Sequence, residues 1–213
     1  MSIAGLSSRL AVSAGAAGLV VIDVATLGFI TLGFEMVASR ILTPLFGGDI
    51  YTWATIISIV VAGLMAGYFI GGMAADRFPT FTFAAAIKLA AAAYLIFVFA
   101  LTGGGLEALL AAIPDDTTAR FVGGLIVCFL PLVVLGMYAP LAVRLLLRDS
   151  GDAGTISGGL FAISSAGNIV GIIVTTFVLI PSIGTRAITG GFAAFLLVSG
   201  LVSIAARLSR QRN

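Results

Sequence analysis

Residues 33–77 read GFEMVASRILTPLFGGDIYTWATIISIVVAGLMAGYFIGGMAADR, and this stretch decides the fold. An apolar segment runs into it from the N-terminal side and is interrupted by the cluster Phe46-Gly47-Gly48-Asp49. A second apolar segment then continues to the pair Asp76-Arg77. A transmembrane helix needs about 20 mostly apolar residues, and glycine-rich polar clusters mark turns. The stretch therefore predicts two membrane helices joined by a short turn.

Composition extends this interpretation to the whole chain. Of the 213 residues, 60% are hydrophobic and 9% are charged, and the mean hydropathy is +1.21. Soluble domains carry roughly 25% charged residues. We therefore expect an integral membrane protein with almost no soluble portion and with the lipid bilayer as its surroundings. The net charge of only +2 does not indicate nucleic acid as a partner.

Several classes of chemistry lack the residues that they need. The chain has no histidine, and Cys128 is its single cysteine. This excludes a disulfide within the chain, a His/Cys metal cluster and a Cys–His nucleophile pair. The sequence also has no phosphate-binding loop and no dinucleotide-binding glycine motif followed by an acidic residue. We predict no cofactor, no metal and no catalytic residue, and hence no enzyme activity in this chain alone.

Apolar segments repeat along the chain, separated by clusters of glycine, proline and charged residues. Six segments are long enough to span a membrane, at about 15–38, 52–75, 81–102, 120–146, 156–181 and 187–206. The fold class predicted is all-α, a polytopic transmembrane bundle of about six helices. Turns are expected at 43–49, 77–79, 103–105, 148–152 and 181–184. Residues 106–113, apolar around Glu107, predict either a short surface helix or a helical turn packed on the ends of the spans.

The distribution of arginine predicts the orientation. With a cytoplasmic N-terminus, seven arginines are cytoplasmic and three, Arg40, Arg120 and Arg186, lie on the opposite side. This agrees with the positive-inside rule and leaves both termini in the cytoplasm. The predicted organisation is an N-terminal lead at 1–14, the bundle at 15–206 and a basic cytoplasmic tail at 207–213. The cytoplasmic arginines are Arg9, Arg77, Arg144, Arg148, Arg207, Arg210 and Arg212.

Ionisable and strongly polar side chains within the spans form a candidate intramembrane polar site, since such residues are costly in a membrane. Glu35 is interpreted either as a proton or cation site or as a buried acid paired with Arg40 or another arginine. Asp23 either contacts a small cation or is a structural residue, near the interface or capped by a neighbour. Lys88 either extends to the cytoplasmic interface or pairs with Asp23 or Asp76. Asn168 forms either a hydrogen bond between helices or a contact with a ligand.

Small residues and prolines predict how the helices pack. Gly63, Gly67 and Gly71 repeat at intervals of four, so two helices can approach closely along this ridge. Pro131 and Pro140 flank Gly136 in the fourth span, and each removes a backbone donor and bends a helix. The bent span either lines a cavity or serves packing alone. Gly72 followed by Asp76-Arg77 is either a functional loop motif or a purely topogenic charge at the cytoplasmic end of the second span.

Several motifs, taken in order, resemble the membrane part of the fused major-facilitator/spermidine-synthase-like proteins of bacteria. Gly72, Asp76 and Arg77 match the cytoplasmic loop motif of major-facilitator transporters, where the Asp serves as a helix-end and interdomain charge contact. The other matching residues are Glu35 with Arg40, Pro44 with Gly47, Pro131 with Gly136 and Pro140, Asn168 with Gly171, and Leu179 with Pro181 and Gly184. The resemblance covers roughly residues 28–186. It implies half of a major-facilitator bundle in a bacterial inner membrane.

The resemblance does not extend to the synthase. Members of that family usually continue into a cytoplasmic aminopropyltransferase-like domain, which has no counterpart in these 213 residues. Aminopropyl transfer would therefore need a separate partner. We expect a non-enzymatic anchor or accessory subunit that binds or passes a small cationic molecule such as a polyamine. The alternatives are a half-size transporter acting as a homodimer and a structural accessory subunit of a larger membrane complex.

Overall fold

The computed structural model describes the backbone of residues 14–147 and 152–210 and the side chains of 15–147 and 152–204. Helices account for 92% of the structure, and the described residues contain no strand. The predicted all-α class is therefore confirmed. In chain order the helices are α1 Ala14–Phe46, α2 Ile50–Arg77, α3 Phe81–Leu101, α4 Gly105–Ala111, α5 Asp116–Gly124, α6 Leu130–Gly136, α7 Tyr138–Leu146, α8 Ala153–Val174 and α9 Ile180–Arg210. Two π-helical segments, Leu125–Phe129 and Thr175–Leu179, precede α6 and α9.

Within the described residues, five helical stretches are long and apolar enough to cross a membrane: Gly15–Phe46, Ile50–Arg77, Phe81–Leu101, Asp116–Leu146 and Ala153–Ile204. The last contains 52 residues. A straight helix of that length would measure about 78 Å, against roughly 30 Å for the hydrocarbon core. The stretch is not straight, because Gly184 has φ 75° and ψ 161°. This backbone conformation suits glycine and breaks the helix at that residue.

The first turn is later and shorter than predicted. Residues 43 and 44, expected in the turn, lie inside α1, whose last turn tolerates Pro44 on the surface of the bundle. The chain leaves the helix at Gly47, where φ is 79°. Asp49 then caps α2, and its Oδ1 accepts a hydrogen bond of 2.8 Å from the backbone N–H of Thr52. The turn is thus set by a left-handed glycine and an N-cap aspartate rather than by the proline.

Each π segment is followed, after one intervening residue, by a proline. Pro131 follows Leu125–Phe129, and Pro181 follows Thr175–Leu179. In π-helical spacing residue 131 would donate to the carbonyl of Ile126, but proline has no N–H. The hydroxyl of Tyr94 on α3 supplies the missing donor at 2.7 Å. The fourth span is interrupted again at Met137, three residues before Pro140.

Packing pairs the first span with α8, the second with the fourth span, and α3 with α9. Glycines allow two of these contacts. A Cβ added at Gly63 would lie 3.0 Å from the carbonyl oxygen of Phe129, and one at Gly71 would lie 2.5 Å from Cα of Met137. A Cβ at Gly171 on α8 would overlap the carbonyl oxygen of Phe29 on α1. The helices therefore touch backbone to backbone at these positions.

The remaining boundaries differ from the prediction in small ways. Residues 105–111 form the helix α4, whose Leu106 and Leu110 are buried, so this loop packs on the ends of the spans. Helix α9 continues to Arg210, so the predicted boundary at 206 between bundle and tail falls within a helix. The side chains of Arg207 and Arg210 lie outside the described residues. So do residues 1–13, 148–151 and 211–213, which include most of the predicted lead, most of the predicted turn at 148–152 and the end of the predicted tail.

Candidate intramembrane polar site

Lys88 is paired inside the bundle and does not extend to the interface. Its Nζ atom lies 2.7 Å from Oδ2 of Asp23, and 1% of its side chain is exposed. The expectation that its stem reaches the cytoplasmic interface is therefore wrong, and so is its pairing with Asp76. Pairing is favoured because an ammonium in the low-dielectric interior needs a nearby opposite charge.

Three further side chains complete a cluster around this ion pair. Nζ of Lys88 donates to the hydroxyl oxygens of Ser199 at 3.2 Å and Ser203 at 2.8 Å. The hydroxyl of Tyr138 donates to Oδ2 of Asp23 at 2.8 Å. We call Asp23, Lys88, Tyr138, Ser199 and Ser203 the Asp23 cluster. Its members come from α1, α3, α7 and α9, so the cluster joins both ends of the chain to the middle.

The hydrogen bonds of the Asp23 cluster are well matched to its charges. An ammonium has three N–H donors, and Lys88 has three acceptors, from Asp23, Ser199 and Ser203. The carboxylate keeps 19% exposure of its side chain, so one side of Asp23 remains open. The cluster therefore holds a buried positive charge whose three donors all have acceptors, and the carboxylate of Asp23 stays partly accessible.

Sequence inspection missed three of these five residues. Ser199 and Ser203 are four residues apart, so they lie on one face of α9, and that spacing was the available signal. Their hydroxyls are weakly polar and give no indication of a charged partner on another helix. Tyr138 begins α7 directly after the interruption at Met137, and nothing in its local sequence indicates a contact with α1.

Asn168 lies beside a separate small cavity that borders the Asp23 cluster. The cavity has a volume of about 40 Å³, and its walls include Gly28, Tyr68, Tyr138, Ser164 and Asn168. Oδ1 of Asn168 is buried and accepts no hydrogen bond from any described residue. A cavity of this size is large enough for water. The expected hydrogen bond from Asn168 to another helix is therefore not made through this oxygen.

Glu35 and Arg40 lie apart from the Asp23 cluster. Glu35 is twelve residues from Asp23, which corresponds to about 18 Å along α1. Its side chain is half-buried, and it forms no ion pair with any described residue; Arg40 is exposed. The predicted pairing of Glu35 with Arg40 is therefore wrong. Of the five predicted polar-site residues, the structure joins only Asp23 and Lys88 directly.

The predicted cytoplasmic loop motif forms an exposed ion pair. Oδ1 of Asp76 lies 3.7 Å from Nε of Arg144 on α7, and both side chains are largely exposed. Gly72 has open space around its Cα, unlike Gly71 beside it. Arg77 is the last residue of α2 and is exposed. This end of the bundle therefore links α2 to α7 through a solvated charge pair rather than a buried one.

At the opposite end, Arg120 on α5 approaches the α1–α2 turn. Its Nη1 lies 3.5 Å from Oδ2 of Asp49, and its Nη2 donates to the carbonyl oxygen of Phe46 at 3.5 Å. Arg186 lies at the same end, with its guanidinium 4.7 Å from the centre of the Phe99 ring. The two arginines thus have different surroundings at one end of the molecule.

Comparison of the chain with models of protein families, with curated proteins and with solved structures finds no match.

Proposed function

We propose that the chain is a non-enzymatic membrane subunit with six spans and both termini in the cytoplasm of a bacterial cell. The sixth span follows from dividing the 52-residue stretch at Gly184, where the helix breaks. The orientation rests on the excess of arginine at the end of the bundle that carries Arg77 and Arg144. An even number of spans is consistent with both termini on that side.

The Asp23 cluster is the observation that carries the proposal of a scaffold rather than an enzyme. It ties α1, α3, α7 and α9 together, and the charge of Lys88 is compensated within it. A buried charge with matched partners favours a fixed arrangement of helices, whereas a reacting group needs access to substrate. Between the described helices the connections are only a few residues long, which leaves no room there for a catalytic domain.

The resemblance to spermidine-synthase-like proteins supports a soluble synthase-like partner. Three arginines, Arg207, Arg210 and Arg212, lie close together in the sequence, and the proposed orientation assigns them to the cytoplasmic side. A partner with an acidic surface would be attracted there. The chain would then anchor the enzyme at the membrane and bind or pass its small cationic substrate or product.

A native pull-down in mild detergent, followed by mass spectrometry, tests this proposal. We expect a soluble synthase-like protein to be recovered with the chain when both are expressed. Replacing Arg207, Arg210 and Arg212 with Gln should reduce recovery, whereas Arg40→Gln, at the other end of the bundle, should not. Recovery of the chain alone under these conditions would contradict the proposal. Constant recovery within a larger assembly without a synthase would favour the structural-subunit alternative.

The cavity at Asn168 favours a second candidate, a half-size transporter that acts as a homodimer. Six spans match one half of a twelve-helix transporter, so a second copy would supply the other half. The unpartnered Oδ1 of Asn168 is an acceptor for a small cation or for water. Uptake of a labelled polyamine into liposomes tests this candidate. Asn168→Leu and Glu35→Gln should each abolish uptake, and absence of uptake by the unmodified chain would reject it.

A further inference from the structure

A polar groove lies between α2 and α5, at the end of the bundle that carries the α1–α2 turn. Its volume is about 580 Å³, within the range of pockets that bind small molecules. It is lined by Asp49, Tyr51, Ala54, Thr55, Ser58, Thr117, Arg120 and Phe121. We call it the Arg120 groove. It is distinct from the Asp23 cluster, which shares no residue with it.

Arg120 enters the groove with its hydrogen bonds incomplete. Its Nε atom is buried and has no acceptor among the described residues. Its two other contacts, with Asp49 and with the carbonyl oxygen of Phe46, are both at 3.5 Å, the long limit for such bonds. A buried donor without a partner is costly, and a guanidinium has five donors to satisfy. Nε of Arg120 therefore needs an acceptor from outside the described residues.

Three hydroxyl groups that line the groove also have no hydrogen-bond partner among the described residues. Elsewhere in the spans, threonine and serine hydroxyls commonly donate to the carbonyl three or four residues earlier, as Thr26, Thr31 and Thr43 do. No such bond is made by Thr55, Ser58 or Thr117, within the part of the chain that the structure describes. The guanidinium of Arg120 and three hydroxyl groups thus line the same groove. This combination suits an anion with several oxygen acceptors, above all a phosphate.

The position of the groove indicates the source of that phosphate. Tyr51 lines it, Trp53 follows in the same first turn of α2, and both rings are exposed. Exposed tyrosine and tryptophan at a helix end mark the membrane–water interface. Toward the middle of the span, the exposed apolar side chains of Ile57, Val61 and Leu125 continue the surface. A polar site above an apolar surface fits the head group and the chain of a phospholipid.

We propose that the Arg120 groove binds the phosphodiester head group of one membrane phospholipid. The guanidinium of Arg120 donates from Nε to a phosphate oxygen, and the hydroxyls of Thr55, Ser58 and Thr117 donate to the head group. The carboxylate of Asp49, on the same wall, favours lipids that also carry an ammonium or hydroxyl donor. The acyl chain lies against the exposed apolar face of α2.

Native mass spectrometry of the full chain in an uncharged detergent tests this site, with dioleoylphosphatidylethanolamine as the probe. We expect one tightly held lipid per chain, with Arg120→Gln weakening its binding about tenfold because a charge-assisted pair is lost. Arg186→Gln is the matched control, since Arg186 lies at the same end of the bundle and its guanidinium stacks over the ring of Phe99. It should leave binding unchanged. Thr117→Val removes one exposed hydroxyl without touching the core and should weaken binding about threefold.

Three results would overturn the proposal. Equal binding of dioleoylglycerol, which lacks the phosphate, would show that only the apolar surface is recognised. Displacement of the lipid by inorganic phosphate at comparable concentration would assign the site to a free anion. An equal loss of lipid binding in Arg186→Gln would show that the effect of Arg120→Gln comes from general surface charge and not from a specific site. If Arg120→Gln does not fold, Arg120→Lys and Thr117→Val decide the question, because both keep the interior of the bundle intact.

Discussion

Nζ of Lys88 on α3 lies 2.7 Å from Oδ2 of Asp23 on α1. The two residues are 65 positions apart in the sequence. Because the lysine is almost completely buried, neither water nor salt screens this pair as they would screen a surface pair. The energetic consequence of breaking it should therefore be large.

We expect Lys88→Met to lower the free energy of unfolding by about 3–5 kcal/mol, because it leaves Asp23 charged without its partner. Asp23→Asn should have an effect of similar size, since it leaves the buried ammonium uncompensated. The double variant should be more stable than the sum of the two losses predicts, because neither charge then remains. Unfolding of the purified protein in detergent, followed by circular dichroism, measures these differences.

Arg144→Gln serves as the control for that experiment. It breaks the exposed pair with Asp76, whose loss should cost about 0–1 kcal/mol. Strictly additive effects of Lys88→Met and Asp23→Asn would contradict the pairing. A loss with Arg144→Gln equal to that with Lys88→Met would show that burial does not control the effect.

Two adjacent glycines in α2 allow a matched test of helix packing. A Cβ at Gly71 would lie 2.5 Å from Cα of Met137, whereas one at Gly72 would meet nothing within 4 Å. We expect Gly71→Ala to destabilise the protein by about 1–3 kcal/mol through overpacking. Gly72→Ala should be neutral or stabilising by up to about 1 kcal/mol, since alanine is the better helix former. Thermal unfolding of both variants measures the contrast, and equal effects would contradict the packing described.

The ridge of glycines illustrates what local sequence can predict. A spacing of four residues places Gly63, Gly67 and Gly71 on one face, so a close helix contact follows from the sequence alone. The apolar composition likewise predicts the helices, because a lipid environment leaves few alternatives for the backbone. Boundaries were less predictable at Pro44, since a proline near the last turn of a long helix is compatible with both helix and turn.

The polar contacts depended on information that local sequence does not contain. Lys88 near the end of a span fits either a side chain that reaches the interface or one that pairs in the interior. The choice depends on which helix packs against α3, and that is a property of the whole bundle. For the same reason the partners Tyr138, Ser199 and Ser203 were not found, although each is an ordinary residue in an ordinary helix. The Arg120 groove likewise forms only when α5 lies beside α2.

Aspartate caps at the ends of α2 and α5 predict how stability depends on pH. Oδ2 of Asp115 accepts hydrogen bonds from the hydroxyl of Thr118 at 2.6 Å and from its backbone N–H at 2.7 Å. These bonds lower the pKa of Asp115 below its ordinary value of 3.8. The backbone N–H of Thr52 lowers the pKa of Asp49 in the same direction.

A carboxyl whose pKa is lower in the folded state stabilises the protein above its unfolded pKa and loses that contribution as the pH falls through the folded value. We therefore expect stability to fall as the pH drops below about 4, over the range in which these caps become protonated. Asp115→Asn should make this fall shallower, and Thr117→Val, which leaves the cap in place, should not. Unfolding midpoints measured from about pH 6 to pH 2 test the slope. An unchanged slope in Asp115→Asn would contradict the role of the cap.

The hydroxyl of Tyr94 and the missing N–H of Pro131 should be energetically coupled. Tyr94 donates to the carbonyl of Ile126 at 2.7 Å, and proline at position 131 leaves that carbonyl without a π-helical donor. We expect Tyr94→Phe to cost about 1–2 kcal/mol in the wild-type background, because a carbonyl within the bundle loses its donor. In a Pro131→Ala background the new N–H can serve the same carbonyl, so the cost of Tyr94→Phe should fall by at least half. A double-mutant cycle of unfolding free energies measures this coupling. If Tyr94→Phe costs the same in both backgrounds, the tyrosine does not replace the donor that the proline removes, and the contact reflects packing of α3 against the fourth span alone.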